Sequence, residues 1–228
     1  MNGYRYYAFV DLLGYRQLIE EDLKLGQQEL RKRLTASFDE LNDVNEADLS
    51  LKAISDSIFV SLNNHGLGFS YIAKVLQRLQ VSFLRHDLLV RGGVSYAEHF
   101  EHGKVTYSPA LIEAYKLESS RAFFPRILVH EAVIEKLRNE KQLDQITDTE
   151  KLIVAHGGTY QIHFLTEGNW NDCYTRARGL AKANDRLIRS DPHVYAKHWY
   201  LQEYLFAYKP KGKIGRRYLP GWGDTRAP

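Results

Sequence analysis

Apolar and polar residues follow two spacings along the first 165 residues, and these spacings predict strands alternating with helices. Aromatic and β-branched residues are concentrated in 4–11, which predicts a strand that ends at Asp11. Leucines and charged residues then recur at helical spacing over 15–43, and Gly26 divides this region into two helices. The chain is therefore expected to begin with an apolar strand and two amphipathic helices.

The same spacings predict the elements that follow, as far as residue 130. In chain order these are a hairpin around Ser55-Asp56-Ser57, a loop at 63–66, a helix over 69–84, a strand over 88–95, a hairpin tip at 98–104, a helix beginning at Ser108-Pro109 and a strand within 124–129. Gly92 and Gly93 inside a strand indicate close approach by another backbone or a ligand. The order β, α, α, β, β, α, β, β, α, β predicts an α+β fold with a mostly antiparallel sheet covered by helices on one face.

Residues 131–228 are predicted to hold further helices and one last strand. The pattern gives helices over 132–140, 149–154, 170–189 and 194–208, a turn at Gly157-Gly158 and a strand over 160–165. A principal domain over 1–165 and a C-terminal helical extension with a basic tail over 166–228 are therefore expected. The tail carries Lys209, Lys211, Lys213, Arg216, Arg217 and Arg226 against one acid, Asp224. We interpret it as a solvated tail in preference to a clamp for a triphosphate.

The composition is that of an ordinary globular protein. The 228 residues are 44% hydrophobic and 26% charged, and a formal net charge of +3 is too small to indicate nucleic acid or an anionic membrane as a partner. One cysteine, Cys173, excludes an internal disulfide, and the nine histidines lack the spacing of a zinc site. Because no signal-peptide pattern and no apolar run of about 18 residues is present, a cytoplasmic location is expected.

Two acidic residues stand where predicted strands end. Asp11 closes the first strand and precedes a helix start, and Asp56 lies in the tip of a hairpin. Carboxylates at adjacent strand ends would hold divalent cations, and helix-start amides beside them would bind a metal-bound phosphate. The alternative is structural, with Asp11 capping the helix and Asp56 occupying a turn.

Five short segments, taken in order, resemble the class III nucleotidyl cyclase superfamily over about residues 4–130. FVDLLGY around Asp11 and KAISDS around Asp56 resemble its two metal-binding motifs, D-x-x-G-F and K-x-x-G-D. The other three segments are RGGV at 91–94, similar to its R-x-G-I strand, SPALIEAYKLES at 108–119, similar to its helix with the transition-state residues, and FPRILV at 124–129, similar to its G-R-I-x-V strand. The pattern most resembles the pyrimidine cyclases of the Pycsar anti-phage systems, which implies that 1–165 is a catalytic domain.

The resemblance implies a site that holds two Mg²⁺ or Mn²⁺ ions. Its metal ligands would be Asp11, Asp56 and the carbonyl of Leu12, because hard cations prefer oxygen donors. The resemblance also implies that three backbone amides face the β- and γ-phosphates, those of Leu13, Gly14 and Tyr15.

On the transition-state helix, the resemblance places Lys116 where the family has an Arg that the second subunit of a dimer supplies. The change keeps the charge and loses the bidentate fork of a guanidinium. Ile112 stands where the family has Asn, and Tyr115, Arg121 or a cation of the tail is expected to take its part. The resemblance thus implies a homodimer in which each site combines residues of two chains.

Base recognition departs from that of purine cyclases. In the family, one base-reading position lies two residues before the motif lysine, here Lys52, and the other lies early in the strand before the transition-state helix. By this resemblance they are Ser50 and Val105, which lack the charged groups used for adenine or guanine. Small Ser50, with Tyr96 or Tyr107 narrowing the pocket, favours a pyrimidine. The resemblance implies that UTP, in preference to CTP, becomes the cyclic monophosphate and that this product activates a cyclic-nucleotide-gated effector in anti-phage defence.

Two other functions are open on the sequence alone. A catalytically silent cyclase-like module, binding a nucleotide or a partner, would explain Ile112 and the missing base-reading residues. A palm-type phosphoryl-transfer enzyme or nucleic-acid binder would explain two acids and a basic tail. The presence of both Asp11 and Asp56 favours an active cyclase, because a silent relative could lose either.

Overall fold

An eight-stranded sheet lies at the centre of the first of two compact units, Met1–Phe164 and Leu165–Pro228. The computed structural model describes residues 2–63, 66–102 and 105–219. The strands are β1 Asn2–Leu12, β2 Leu49–Ile54, β3 Ser57–Leu62, β4 Val90–His102, β5 Val105–Tyr107, β6 Ile127–Val129, β7 Ile153–His156 and β8 Thr159–Ile162. Their order is β2-β3-β1-β4-β6-β8-β7, and β5 pairs with β4 outside this path.

The α+β class with a mostly antiparallel sheet is confirmed. Within the described residues, β4 and β6 form the one parallel pair, and the other neighbouring strands run antiparallel. The order of the first ten elements, from β1 to β6, is also as predicted.

Among the described residues, five α-helices accompany the sheet in the first unit, and three lie in the second. Their bounds are α1 Tyr15–Leu25, α2 Glu29–Asp39, α3 Phe69–Arg85, α4 Pro109–Arg121 and α5 Glu131–Asn139, then α6 Trp170–Ala183, α7 Asp185–Ser190 and α8 Pro192–Ala207. Gly26 ends α1 with a φ of 61°, a left-handed conformation that glycine adopts without strain. In the part of the chain that the structure describes, no helix is both long and apolar enough to span a bilayer.

Helices cover both faces of the sheet, whereas cover on one face was expected. Alternate residues of β1 from Tyr6 to Leu12 are buried in the main core, to which α1, α2, α3 and α5 contribute. Phe9, which is out of phase with them, faces the other side and meets Tyr115 of α4 edge to face, with ring centroids 5.3 Å apart. The expectation was wrong because the buried side of α4 is built on the small Ala110 and Ala114, which give little hydrophobic signal.

Gly93 allows α4 to lie directly on β4. A Cβ atom at this position would be 2.6 Å from the carbonyl oxygen of Ala114 and 2.9 Å from Cβ of Leu117, both closer than van der Waals contact permits. The close approach inferred from paired glycines is therefore made by a helix backbone. Gly93 thus sets the position of every α4 side chain that faces the sheet.

We expect Gly93→Ala to destabilise the first unit by about 1–3 kcal/mol, because α4 must move away from the sheet to admit the methyl group. Urea unfolding followed by circular dichroism measures this loss. Gly179→Ala is the matched control: Gly179 lies in α6 with nothing within 4 Å of the added atom, so alanine should stabilise that helix by roughly 0.5–1 kcal/mol. A wild-type unfolding midpoint for Gly93→Ala would contradict the packing described.

Two predictions for the later part of the chain are wrong. Residues 149–154 are not helical, because a π-helical turn ends at Thr149 and β7 then buries Ile153 opposite Ile162. The single helix expected over 170–189 is divided at Asn184 into α6 and α7. Parts of the loop at 63–66 and of the hairpin tip at 98–104 lie outside the described residues.

The backbone of the basic segment 209–219 is held in place, although Lys209, Lys211, Arg216 and Arg217 are exposed to solvent. The hydroxyl of Tyr174 in α6 accepts a hydrogen bond from the amide of Arg216 at 2.9 Å and donates one to its carbonyl at 2.8 Å. One residue of the segment thus has both backbone groups bound to a helix side chain. The remaining tail residues, 220–228, lie outside the described residues.

Candidate active site

The fold brings Asp11 and Asp56 to the same end of the sheet. Asp11 pairs with Ser57 across the β1–β3 ladder, and the amide of Leu12 donates to the carbonyl of Asp56 at 3.0 Å. Asp56 lies in the two-residue turn between β2 and β3, where Ser55 takes a left-handed φ of 61°. Asp56 and the side chain of Asp11, 19% exposed, are both partly accessible. The two acids are thus neighbours, although 45 positions separate them.

Arg91 of β4 connects Asp11 to a third acid. Nε of Arg91 donates to Oδ2 of Asp11 at 3.1 Å, across a register in which the two residues are direct partners. The same Nε lies 2.7 Å from Oε1 of Glu118 in α4, an ion-pair distance without hydrogen-bond alignment. Three carboxylates and one guanidinium therefore meet at this end of the sheet, where negative charge is in excess.

Burial raises the pKa of Glu118 to about 7. Its side chain is 3% exposed; Arg91 lowers the pKa in part, whereas Asp11 and Asp56 raise it further. A carboxyl group with this pKa titrates near neutral pH. The sequence interpretation missed this residue, although Glu118 follows Ala110 and Ala114 at helical spacing and so continues the buried side of α4.

The donors fit divalent ions that arrive with a substrate better than resident ions. Among residues 2–63, 66–102 and 105–219, no group of three or more His, Cys, Asp or Glu side chains is arranged to hold a metal. Mg²⁺ commonly binds one or two carboxylates and completes its shell with waters and substrate phosphates. Asp11 and Asp56 can supply those carboxylates, and Leu12, whose side chain is buried, can supply only its carbonyl.

The start of α1 lies directly after Asp11. Gly14 adopts a left-handed φ of 77° as the N-cap, and the first intrahelical bond runs from the amide of Leu18 to its carbonyl. The amides of residues 15–17 precede that bond and point toward the helix start. The expected phosphate contact of Leu13 needs correction, because its amide donates to the carbonyl of Leu89 at 2.8 Å.

Ser50 and Lys52 lie on the same face of the sheet as Asp11. Lys52 pairs with Phe59, and Phe59 pairs with Phe9, so these residues form one row across three strands. The two rings meet edge to face with centroids 5.5 Å apart. Ser50 stands in the next row on that face, which gives a partly aromatic surface beside the acids.

Tyr96 cannot narrow a pocket on this face. It pairs with Tyr6, whose ring is 4.7 Å from its own, and Nζ of Lys136 lies 4.7 Å from the Tyr96 ring centroid. These contacts lie on the opposite, helix-covered face of the sheet. Tyr107 of β5, 62% exposed, pairs with Phe100 on the same face of β4 as Tyr96, so it does not border the acids of its own chain either.

The remaining predicted residues are exposed on α4 and β5, and Tyr115 among them contacts Phe9 on the face of Asp11. Lys116 lies on the exposed side of α4 and pairs with Glu113 at 2.9 Å. Ile112 and Tyr115 are 51% and 52% exposed on the same side, and Val105 of β5 is 61% exposed. Arg121 is the last residue of α4 and is also exposed.

Solved structures that resemble this chain include guanylyl cyclases. The guanylyl cyclase Cya2 gives a TM-score of 0.46 at 12% identity, over 73% of this chain and 95% of that one. The monomeric guanylyl cyclase domain of the RhoGC fusion protein from the aquatic fungus Blastocladiella emersonii gives 0.45 at 11%, over 71% and 96%. A class III adenylyl cyclase-like ATP-binding protein from Pseudomonas aeruginosa gives 0.46 at 10%, over 75% and 40%.

The first two of these proteins are guanylyl cyclases, and the third is a class III adenylyl cyclase-like ATP-binding protein. No protein-family model and no curated protein matches the sequence. Because the identities are 10–12% and the TM-scores lie below 0.5, the chemistry of this chain is inferred from its own residues.

Proposed function

We propose that this chain is a metal-dependent nucleotide cyclase that converts a ribonucleoside triphosphate into its 3′,5′-cyclic monophosphate and pyrophosphate. The observation that carries the proposal is the meeting of Asp11 and Asp56 beside the first turn of α1. Two carboxylates at a helix start form a surface for a cation-bound polyphosphate. Lys52, which is exposed, and the half-buried Phe59 beside them offer a surface for the nucleoside.

In this mechanism Asp11 and Asp56 would hold two Mg²⁺ or Mn²⁺ ions. Such ions lower the proton affinity of the ribose 3′-hydroxyl and neutralise charge on the α-phosphate and the departing pyrophosphate. The bond between O3′ and the α-phosphorus forms as the bond from that phosphorus to pyrophosphate breaks, and the hydroxyl proton passes to solvent. The amides of residues 15–17 receive the outer phosphates.

Arg91 and Glu118 would orient Asp11. An arginine between two carboxylates fixes both, and its charge offsets part of the repulsion between Asp11 and Asp56. When cations neutralise Asp11, the guanidinium can align fully with Glu118. Both are therefore positioning residues in this proposal.

Lys116, assisted by Arg121, would act on the site of a second subunit. Both are exposed on α4, whose outer side also presents Ile112 and Tyr115. In a homodimer that pairs these surfaces, Lys116 of one chain steadies charge on the α-phosphate held by the other. The ion pair with Glu113 at 2.9 Å is exposed, so little free energy opposes its release.

We further propose that the base is a pyrimidine and that UTP is preferred to CTP. Ser50 and Lys52 share the face of Asp11, and Ser50 leaves a small polar position where a purine reader would need a charged group. Val105 and Tyr107 of β5 would complete the pocket from the second subunit. By its resemblance to Pycsar cyclases, the chain would supply a cyclic pyrimidine nucleotide to a separate effector during phage infection.

Incubation of the purified chain with each of the four ribonucleoside triphosphates and Mn²⁺ tests the reaction and the base together. We expect cyclic UMP as the main product, cyclic CMP at least tenfold slower and little cyclic AMP or cyclic GMP, which chromatography and mass spectrometry distinguish. Binding of UTP without turnover would support the catalytically silent module instead. Product formed only with a primer or polynucleotide would support a phosphoryl-transfer enzyme of the palm type.

A further inference from the structure

A concave cavity of about 1170 Å³ lies within the second unit. It is bounded by α6, α7, the start of α8 and the segment 214–219. Its floor is apolar, because Ala181, Ile188 and Leu219 pack together there. The proposed cyclase reaction uses none of these residues, so the cavity has no part in the function already described.

The segment that closes one side of the cavity is fixed at several points. Besides the two bonds between Tyr174 and Arg216, Oε1 of Gln202 accepts the amide N–H groups of Tyr218 and Leu219 at 2.7 and 2.8 Å. Gln202 is 1% exposed, so these bonds are protected from water. The cavity is therefore pre-formed, which lowers the entropic cost of binding a ligand.

The walls of the cavity carry five cations and one acid, Asp185. Arg189 is paired with Asp185 at 2.8 Å, and Arg217 is paired with Glu203 at 2.8 Å. The other three cations form no ion pair with the described residues; they are Arg178, Lys182 and Arg216. Among residues 165–219 no acid compensates their charge, so this part of the cavity favours an anion.

Three tyrosines also line the cavity: Tyr174, Tyr195 and Tyr218. The hydroxyl of Tyr218 is buried and has no hydrogen-bond partner among the described residues. Burial raises the pKa of Tyr218, which keeps this hydroxyl protonated as a donor. A buried donor without a partner costs free energy unless a ligand or water completes it.

We propose that this cavity binds a phosphorylated aromatic small molecule of the nucleotide class. Its volume exceeds the roughly 300–1,000 Å³ of common ligand pockets and so admits a whole nucleotide. Arg178, Lys182 and Arg216 would hold the phosphates, and the tyrosines would contact the base. The cavity shares no residue with the site of Asp11 and Asp56, and its existence does not depend on cyclase activity.

Calorimetric titration of the full chain with UTP and with ATP in EDTA tests the site, because EDTA removes the cations that the catalytic site needs. We expect saturable binding of at least one of them, weakened at least tenfold by Arg178→Glu with Lys182→Glu. The matched control is Arg186→Glu with Lys211→Glu, two exposed cations outside the cavity, which should change affinity less than about twofold. Circular dichroism checks that both pairs fold.

Two further ligands test which chemical class of ligand the cavity binds. Tripolyphosphate should bind at least tenfold more weakly than the nucleotide, because it offers no ring to the tyrosines. Equal affinity would overturn the aromatic part of the proposal, and much tighter binding of a single-stranded oligonucleotide would identify a nucleic-acid surface instead. Absence of nucleotide binding in EDTA, or equal weakening by both variant pairs, would overturn it entirely; cyclase activity could persist in either case.

Discussion

Replacing Asp56 by asparagine is expected to lower cyclic nucleotide formation by about a thousandfold, which corresponds to about 4 kcal/mol of lost transition-state stabilisation. Asparagine keeps the shape of the side chain and its aptitude for a turn, but it lacks the charge that holds a divalent cation. The backbone carbonyl that accepts from Leu12 is unchanged, so the fold should persist. The measurement is the initial rate with UTP and Mn²⁺, beside thermal unfolding of the same preparation.

Asp144→Asn provides the control for Asp56→Asn. Asp144 is exposed and precedes the π-helical turn, on an element that takes no part in the proposed site. The substitution Asp144→Asn removes the same charge from the same unit, and it should leave the rate within about twofold of the wild-type rate. A rate for Asp56→Asn that matches this control would end the metal-dependent account of the chain.

The Asp56→Asn chain also tests the composite site. Mixed in equal amounts with Lys116→Ala, it should form heterodimers in which one of the two sites retains both Asp56 and Lys116. Half of the dimers would then carry one intact site of two, so about a quarter of wild-type activity should return. No recovery, despite demonstrated subunit exchange, would mean that Lys116 acts within its own chain, and full activity of Lys116→Ala alone would mean that Lys116 takes no part.

Glu118→Gln is expected to remove a pH dependence of stability of about 3 kcal/mol. The folded state raises the pKa of Glu118 from 4.5 to about 7, so it binds a proton more tightly than the unfolded state does. Wild-type stability should therefore fall as the pH rises from about 4.5 through 7, where the buried carboxyl loses its proton. Glutamine resembles the protonated acid and never ionises, so the variant should become more stable than wild type at pH 8.

Urea unfolding at pH 5 and pH 8 in EDTA, followed by circular dichroism, measures this difference. Tryptophan fluorescence does not suit the measurement, because Trp170, Trp199 and Trp222 all belong to the second unit. Glu135→Gln, at an exposed position of α5, is the control and should follow wild type at both pH values. Parallel pH dependence for Glu118→Gln and wild type would show that Glu118 does not titrate in this range.

Local sequence patterns were sufficient for most of the first unit. Aromatic and β-branched residues are concentrated in strand β1, and Gly26 stops a helix through a conformation that other residues avoid, so both features are encoded within a few positions. The later elements were harder because short buried segments such as Ile153–His156 lack a periodicity long enough to separate strand from helix. The division at Asn184 was also missed, since the apolar spacing continues across it.

The local sequence was enough to predict that Asp11 ends an apolar strand and that Asp56 occupies the turn between two short apolar strands. These are properties of residues close together in the chain, where propensity and alternation act. The meeting of Arg91 and Glu118 with the two acids could not be predicted locally. It depends on the strand register and on the packing of α4 against Gly93, which bring together residues that are distant in the chain. The same reason explains the cavity of the second unit: Arg178 and Arg216 share it only because Tyr174 and Gln202 hold the returning segment against the helices.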